Sequence, residues 1–139
     1  MSSEVVNPGS KTVTPKLMAW SGWTLSGLFV AFMLFDVTIK LIQIPAVAQT
    51  MAALGWPGSL GLPIGVIELV ALVLYVYPRT AVLGAILMTG VMGGAIASHL
   101  RLGNPLFSHV LFGVYLGLFA WGGLWLRDPR LRAVMPWRG

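Results

Sequence analysis

The chain has 139 residues, of which 57% are hydrophobic and only 9% are charged. A soluble domain usually carries about 25% charged residues, because its surface faces water. The composition therefore excludes an ordinary soluble domain. Nine Lys and Arg against four Asp and Glu give a formal charge of +5. Most of these cations flank apolar runs, which favours membrane topology over nucleic-acid binding. The absence of cysteine excludes a disulfide or a thiolate metal site within the chain.

The N-terminal residues 1–16 are polar and lack the apolar core that a signal peptide requires. We expect them to form a mobile cytoplasmic tail instead. The C-terminal segment 129–139 is short and basic, and we expect it to form a second cytoplasmic tail.

Four apolar runs lie between these ends, at about 20–44, 59–77, 81–100 and 106–126. Roughly 20 apolar residues are needed for a helix to cross a hydrocarbon core of about 30 Å. Continuous runs of this length predict helices, because lipid offers no hydrogen-bond partner to an open backbone. We therefore predict an all-α, integral membrane, antiparallel four-helix bundle over residues 17–128.

The breaks between the runs predict how the helices connect. Pro78 and Arg79 leave almost no linker between the second and third runs, so these two should form a tight hairpin. Residues 46–55 are predicted to form a short interfacial helix, because their apolar residues recur at helical spacing. These apolar residues are Val47, Met51 and Leu54.

The basic residues predict the orientation of the bundle. Seven of them fall on one side, namely Lys11, Lys16, Arg79, Arg127, Arg130, Arg132 and Arg138. Arg101 falls on the other side, and Lys40 lies near that end of the first run. The positive-inside rule then places both termini in the cytoplasm and the protein in the cell inner membrane.

Small residues recur every fourth position in the third and fourth runs. They are Gly90, Gly94 and Ser98 in the third, and Gly113 and Gly117 in the fourth. Such ridges let helix backbones approach closely in lipid, so we expect a packing role for them.

Ionisable residues inside the apolar runs predict the functional site, because each costs roughly 2.5 to 3.5 kcal/mol to insert. Asp36, Lys40 and Gln43 are spaced to share one helical face, and the first two can form an ion pair. Glu68 lies deepest and needs Lys40, Arg101 or a histidine as its partner. With the predicted topology, all these groups converge in one polar pocket in the extracytoplasmic half.

The candidate catalytic residues in that pocket are Asp36, Glu68, His99 and His109. The candidate ligand-binding residues are Lys40, Gln43, Tyr75, Met92, Arg101 and Asn104. No metal site is predicted, because the spacing of histidines and carboxylates matches no recognised ligand motif.

Several motifs resemble the DoxX-like family of small membrane proteins. They are Leu34 to Leu41, Gly55-Trp56-Pro57, Tyr77 to Leu87, Gly94 to Leu100, Pro105 to His109 and Trp121 to Pro129. The family's distinctive residues correspond to Lys40, Pro78, Arg79, His99 and His109 here. The resemblance implies a four-helix membrane bundle, similar to subunits of thiosulfate:quinone oxidoreductases and to proteins associated with membrane redox complexes.

Three functions remain open on the sequence alone. The first is a redox-associated subunit that binds a quinone or similar lipophilic molecule and works with a redox partner subunit. The second is a self-contained membrane enzyme doing acid–base chemistry (isomerase, lyase or hydrolase) on an apolar substrate. The third is a non-enzymatic transporter or partner-stabilising subunit, in which transport through so few helices requires a homo-oligomer.

Overall fold

The computed structural model describes residues 15–136, so most of the predicted tail at 1–16 (residues 1–14) and the last three residues lie outside this range. The six α-helices are α1 (Pro15–Leu41), α2 (Pro45–Ala53), α3 (Gly61–Val76), α4 (Ala81–Arg101), α5 (Phe112–Arg127) and α6 (Pro129–Arg132). A 3₁₀ turn at Gly58–Leu60 precedes α3, and a π-helical turn at Leu106–Val110 precedes α5. The all-α prediction is confirmed for the described residues.

Four helical segments are long and apolar enough to cross a bilayer. They are Lys16–Leu41, Gly58–Val76, Ala81–Arg101 and Leu106–Arg127. Large apolar side chains such as Phe35, Val73 and Leu118 are more than half exposed on the outside of the bundle. Such a surface suits lipid, where apolar side chains carry no cost of hydration. The prediction of a four-span membrane protein is confirmed at this level.

The first long helix differs in its bounds from the apolar run that predicted it. It begins at Pro15 and ends at Leu41, whereas the run extends to residue 44. Gln43 has a positive φ of 56°, a conformation that cannot continue a right-handed helix. The expectation that Gln43 shares a helical face with Asp36 and Lys40 is therefore wrong.

The short helix α2 is confirmed close to its predicted position. Pro45 occupies its first turn, where a proline loses no helical hydrogen bond. Its predicted inward residues Val47 and Met51, together with Leu54 just after the helix, are all buried.

The four long helices close into a ring. Helix α1 packs against α3 and α5, and α4 packs against the same two helices. Their shared core contains Phe29, Met33, Tyr75, Met88 and Leu124. Phe29 meets Tyr75 edge to face, with ring centroids 5.1 Å apart. This core fixes the four helices that carry the candidate residues.

Glycines allow the closest helix contacts, but at positions other than those predicted. A Cβ on Gly84 would overlap the backbone of Tyr75, so α3 and α4 touch main chain to main chain there. Gly22 and Gly123 play the same part between α1 and α5. Gly113 packs against Ile96 as expected. Gly90, Gly94 and Gly117 have no atom within 4 Å of a Cβ, so the packing role predicted for these three is wrong.

We expect Gly84→Ala to lower the free energy of unfolding by about 1–3 kcal/mol, because an added methyl group would push α3 away from α4. The matched control is Gly117→Ala, whose methyl group meets open space and should change stability by less than about 0.5 kcal/mol. Thermal unfolding of both variants in one detergent measures the difference. Equal melting temperatures would contradict the close contact at Gly84.

Candidate functional site

One lysine joins two carboxylates in the interior of the bundle. The Lys40 ammonium donates to Asp36 Oδ2 at 2.6 Å, one helical turn earlier on α1. It also donates to Glu68 Oε1 at 2.8 Å and Oε2 at 2.9 Å, across the contact with α3. The predicted pair of Asp36 and Lys40 is present, and Lys40 is the partner that Glu68 requires.

Burial makes this ion cluster costly to disrupt. The side chain of Glu68 is only 4% exposed, while those of Lys40 and Asp36 are 14% and 24% exposed. A charge that loses its partner in such a place is not compensated by water. Gly65 permits the contact, because a Cβ there would come within 2.8 Å of Lys40 Cβ. The cluster thus ties α1 to α3 at one depth and rotation.

The two histidines lie against each other beside this cluster. The rings of His99, on α4, and His109, in the π-helical turn, have centroids 5.6 Å apart and meet edge to face. The Asn104 amide nitrogen lies 2.8 Å from His99 Nδ1. An amide nitrogen only donates, so Nδ1 is the acceptor in that contact. Ser108 Oγ lies 2.8 Å from His109 Nδ1. Short polar contacts therefore orient both rings.

A cavity of about 130 Å³ brings the four candidate catalytic residues together. Asp36, Glu68, His99 and His109 all line it, as do Lys40 and Met92. Phe32 and Phe112 complete part of its apolar wall and contact each other with centroids 5.2 Å apart. The expected convergence of these six residues is a geometric fact of the bundle, and their chemical roles stay predictions.

A second cavity, of about 280 Å³, is also lined by Lys40 and Glu68. Val91 and Ala95 of α4 also line both cavities. The remaining lining of the larger cavity is apolar except for Trp56 and Ser98. The ion pair therefore lines both a mostly apolar cavity and a smaller cavity that the two histidines also line.

The end of α2 and the segment after it form one wall of the larger cavity. Met51, Leu54 and Trp56 line it, and the Trp56 indole donates to Ser98 Oγ at 3.1 Å. The Arg101 guanidinium donates to the Leu54 carbonyl at 2.7 Å and lies 5.7 Å from the Trp56 ring. Arg101 therefore holds this wall in place and lines neither cavity. Trp56 was not among the site residues predicted from the sequence. The Trp56-Pro57 pair is the sequence feature that could have indicated its place in the site.

Three further candidates lie outside both cavities. Gln43 is exposed in the linker before α2, because α1 ends two residues earlier. Asn104 reaches the site only through its contact with His99. Tyr75 is buried elsewhere, where its hydroxyl donates to the Ala120 carbonyl at 2.7 Å and contacts Ser26 Oγ at 2.8 Å. It shares the helical face of Glu68 but lies two turns further along α3.

The His, Asp and Glu side chains of residues 15–136 form no cluster of three or more that could hold a metal ion. The described residues also leave no buried side-chain nitrogen or oxygen without a hydrogen-bond partner. Each fully buried side-chain nitrogen or oxygen of the site therefore has at least one hydrogen-bond partner.

The fold and the site define a small helical membrane protein with an internal ion cluster whose Lys40 and Glu68 line two cavities. The DoxX-like family model matches residues 24–123, and the chain belongs to the DoxX-like family. The family resemblance noted in the sequence is thereby confirmed. No curated protein and no solved structure matches the chain.

We expect Lys40→Met to destabilise the bundle by about 3–5 kcal/mol, because it leaves the buried Glu68 carboxylate without a cationic partner. The double variant Lys40→Met/Glu68→Leu should recover part of that loss, since an apolar pair replaces the Lys40–Glu68 contact while the partly exposed Asp36 still lacks its cation. Thermal unfolding in detergent tests this, with the exposed Lys16→Met as control. A double variant no more stable than Lys40→Met alone would contradict the assigned pairing.

Proposed function

We propose that this protein binds a lipophilic small molecule in the larger cavity, with the polar head of the ligand at the Lys40–Glu68 pair. One observation carries the proposal: an apolar cavity of about 280 Å³ ends at a few converging polar groups. Small-molecule sites commonly combine an apolar wall with a few polar groups that fix orientation. A buried ionisable residue in a membrane protein also favours a functional role.

Access to this cavity from the bilayer is favoured by the surface of α3 and α4. Ile67, Gly90 and Gly94 line the cavity and are also exposed on the outside of the bundle. Neither glycine carries a side chain that would close the gap, and nothing lies within 4 Å of the position of a Cβ. A molecule dissolved in lipid would therefore reach the ion pair laterally, without crossing the aqueous rim.

A quinone is our first candidate ligand, and a redox-associated role follows from it. Family resemblance to redox-complex subunits supports this choice, and because the chain has no cysteine for thiol chemistry, electrons would pass through a partner subunit or a freely bound cofactor. The histidines and Asp36, which line the smaller cavity, would exchange protons with the head group. The catalytic roles of Asp36, Glu68, His99 and His109 and the ligand-binding roles of Lys40 and Met92 are part of this proposal.

Acid–base catalysis on an apolar substrate is the second candidate function. The observation that favours it is the smaller cavity, where two carboxylates and two imidazoles meet. Asp36 or Glu68 would act as the base and His99 or His109 as the acid, as in general acid–base catalysis. Lys40 would stabilise developing negative charge, whereas Arg101 is engaged with the Leu54 carbonyl. Turnover by the purified protein without an electron acceptor distinguishes this function from the first.

A transporter or a partner-stabilising subunit is the third candidate, and the cavities argue against a pore between protomers. Both cavities are built within one chain, so a ligand site needs no second copy. A homo-oligomer is therefore not required to form the ligand site.

We further propose an antiparallel bundle in the cell inner membrane with both termini cytoplasmic. The division into a tail at 1–16, a domain at 17–128 and a basic tail at 129–139 belongs to the same proposal. The Arg127 guanidinium, at the end of α5, lies 4.2 Å from the Trp23 ring near the start of α1. This contact supports neighbouring first and last ends, and the distribution of Lys and Arg supports a cytoplasmic side for both.

Filling the larger cavity should abolish ligand binding without unfolding the protein. We expect Gly94→Leu to lose a lipophilic molecule that co-purifies with the wild-type protein, because the added side chain occupies the cavity. Gly93→Leu is the matched control, since Gly93 is the preceding residue, has equal open space and does not line the cavity. Mass spectrometry of extracts from both variants measures the difference. A molecule retained equally by both would contradict binding in this cavity.

Single cysteines test the orientation cleanly, because the natural chain has none. We expect Ala53→Cys, exposed at the end of α2, to react with a membrane-impermeant maleimide on intact spheroplasts. Ala133→Cys, exposed after α6, should react only after permeabilisation. The reverse pattern would overturn the proposed placement of the termini.

A further inference from the structure

We infer that the larger cavity selects a lipophilic molecule whose head group donates hydrogen bonds, a protonated amine ahead of a hydroxyl, and a carbonyl last. This inference rests on the proposed function and narrows its ligand class, so that of a quinone couple it favours the quinol, whose hydroxyls donate, over the quinone, whose carbonyls only accept. It follows from the hydrogen-bond capacity that the lining side chains still have after their contacts with one another are counted.

The donors of the cavity are already occupied. Among residues 15–136, the polar side chains that line it are Lys40, Trp56, Glu68 and Ser98. An ammonium group has three hydrogens, and three carboxylate oxygens of Asp36 and Glu68 lie 2.6 to 2.9 Å from Lys40 Nζ. The Trp56 indole donates to Ser98 Oγ at 3.1 Å, and the Ser98 hydroxyl donates to the Gly94 carbonyl at 2.9 Å.

The acceptors of the same cavity retain spare capacity. A carboxylate can accept about four hydrogen bonds, and each Glu68 oxygen receives one from Lys40. An arriving carbonyl would have to displace one of the existing bonds before it found a donor. An arriving ammonium or hydroxyl would meet open lone pairs on Glu68 directly.

The net charge of the Asp36–Lys40–Glu68 cluster also favours a protonated amine. Two carboxylates face one ammonium, so the ionised cluster carries one net negative charge in the interior of the bundle. Surplus charge in such a place is poorly solvated, and a cation bound beside it relieves that cost. A protonated amine supplies both the donors and the charge, which ranks it above a neutral hydroxyl.

The test compares three probes that share one apolar body, namely phenylbutylamine, phenylbutanol and phenylbutanone. Each is titrated calorimetrically into the full-length protein in nanodiscs, with empty nanodiscs subtracted to remove partition into lipid. We expect the amine to bind about tenfold or more tightly than the ketone, since one charge-assisted hydrogen bond accounts for that ratio. The alcohol should fall between them.

Two variants locate the contact. Glu68→Gln should remove the preference for the amine, because the amide supplies donors and loses the charge. Asp36→Asn removes one charge from the same cluster but leaves the Glu68 carboxylate in this cavity, so it should weaken the preference less than Glu68→Gln does. Gly94→Leu should abolish binding of all three probes.

The outcomes separate this inference from the proposed function. A ketone that binds as tightly as the amine, and is lost in Gly94→Leu, overturns the donor preference and leaves the cavity as a binding site. Loss of the amine preference in Asp36→Asn but not in Glu68→Gln also overturns the inference. Probes that bind equally to the wild-type protein and to Gly94→Leu overturn both the preference and the site.

Discussion

The contact of Lys40 with Asp36 and Glu68 is the constraint on which the rest of the bundle depends. A lysine between two carboxylates has no low-cost position among apolar helices except the one where all three charges meet. That meeting fixes the rotation of α1, because Asp36 and Lys40 are one turn apart, and the depth of α3, because Glu68 must reach the ammonium. Lys40 and Glu68 line both cavities.

The sequence predicted the fold well because the membrane leaves few alternatives. Continuous apolar runs in lipid are helical, and the breaks at Pro45, Pro78 and Pro105 divide them into four. The end of α1 was misjudged because hydropathy continues through Ile42 and Ile44, while the backbone turns at Gln43. Hydropathy identifies the residues that can face lipid, but it does not identify the residue at which a helix ends.

The site was predicted in part, and the reason differs from residue to residue. Asp36 could be paired with Lys40 in advance because uncompensated charge in lipid is so costly, whereas the partner of Glu68 stayed open among Lys40, Arg101 and a histidine. Tyr75 was misplaced, since a shared helical face does not fix depth when two turns separate the residues. Trp56 was missed because its place over the cavity depends on Ser98 and Arg101, which are remote in sequence. The open space at Gly90 and Gly94 depends on which neighbours approach α4, and spacing alone cannot reveal that.

The unequal distribution of charge between α1 and α3 bears on how the protein is made. Helix α1 carries its own neutral pair, so it can enter the bilayer without help from another segment. Helix α3 carries Glu68 and no cation, so its release from the translocon alone would leave a carboxylate facing hydrocarbon. Since α1 is synthesised first, Lys40 is already in the membrane when Glu68 arrives. The first helix thus serves as an intramolecular insertion partner for the second span.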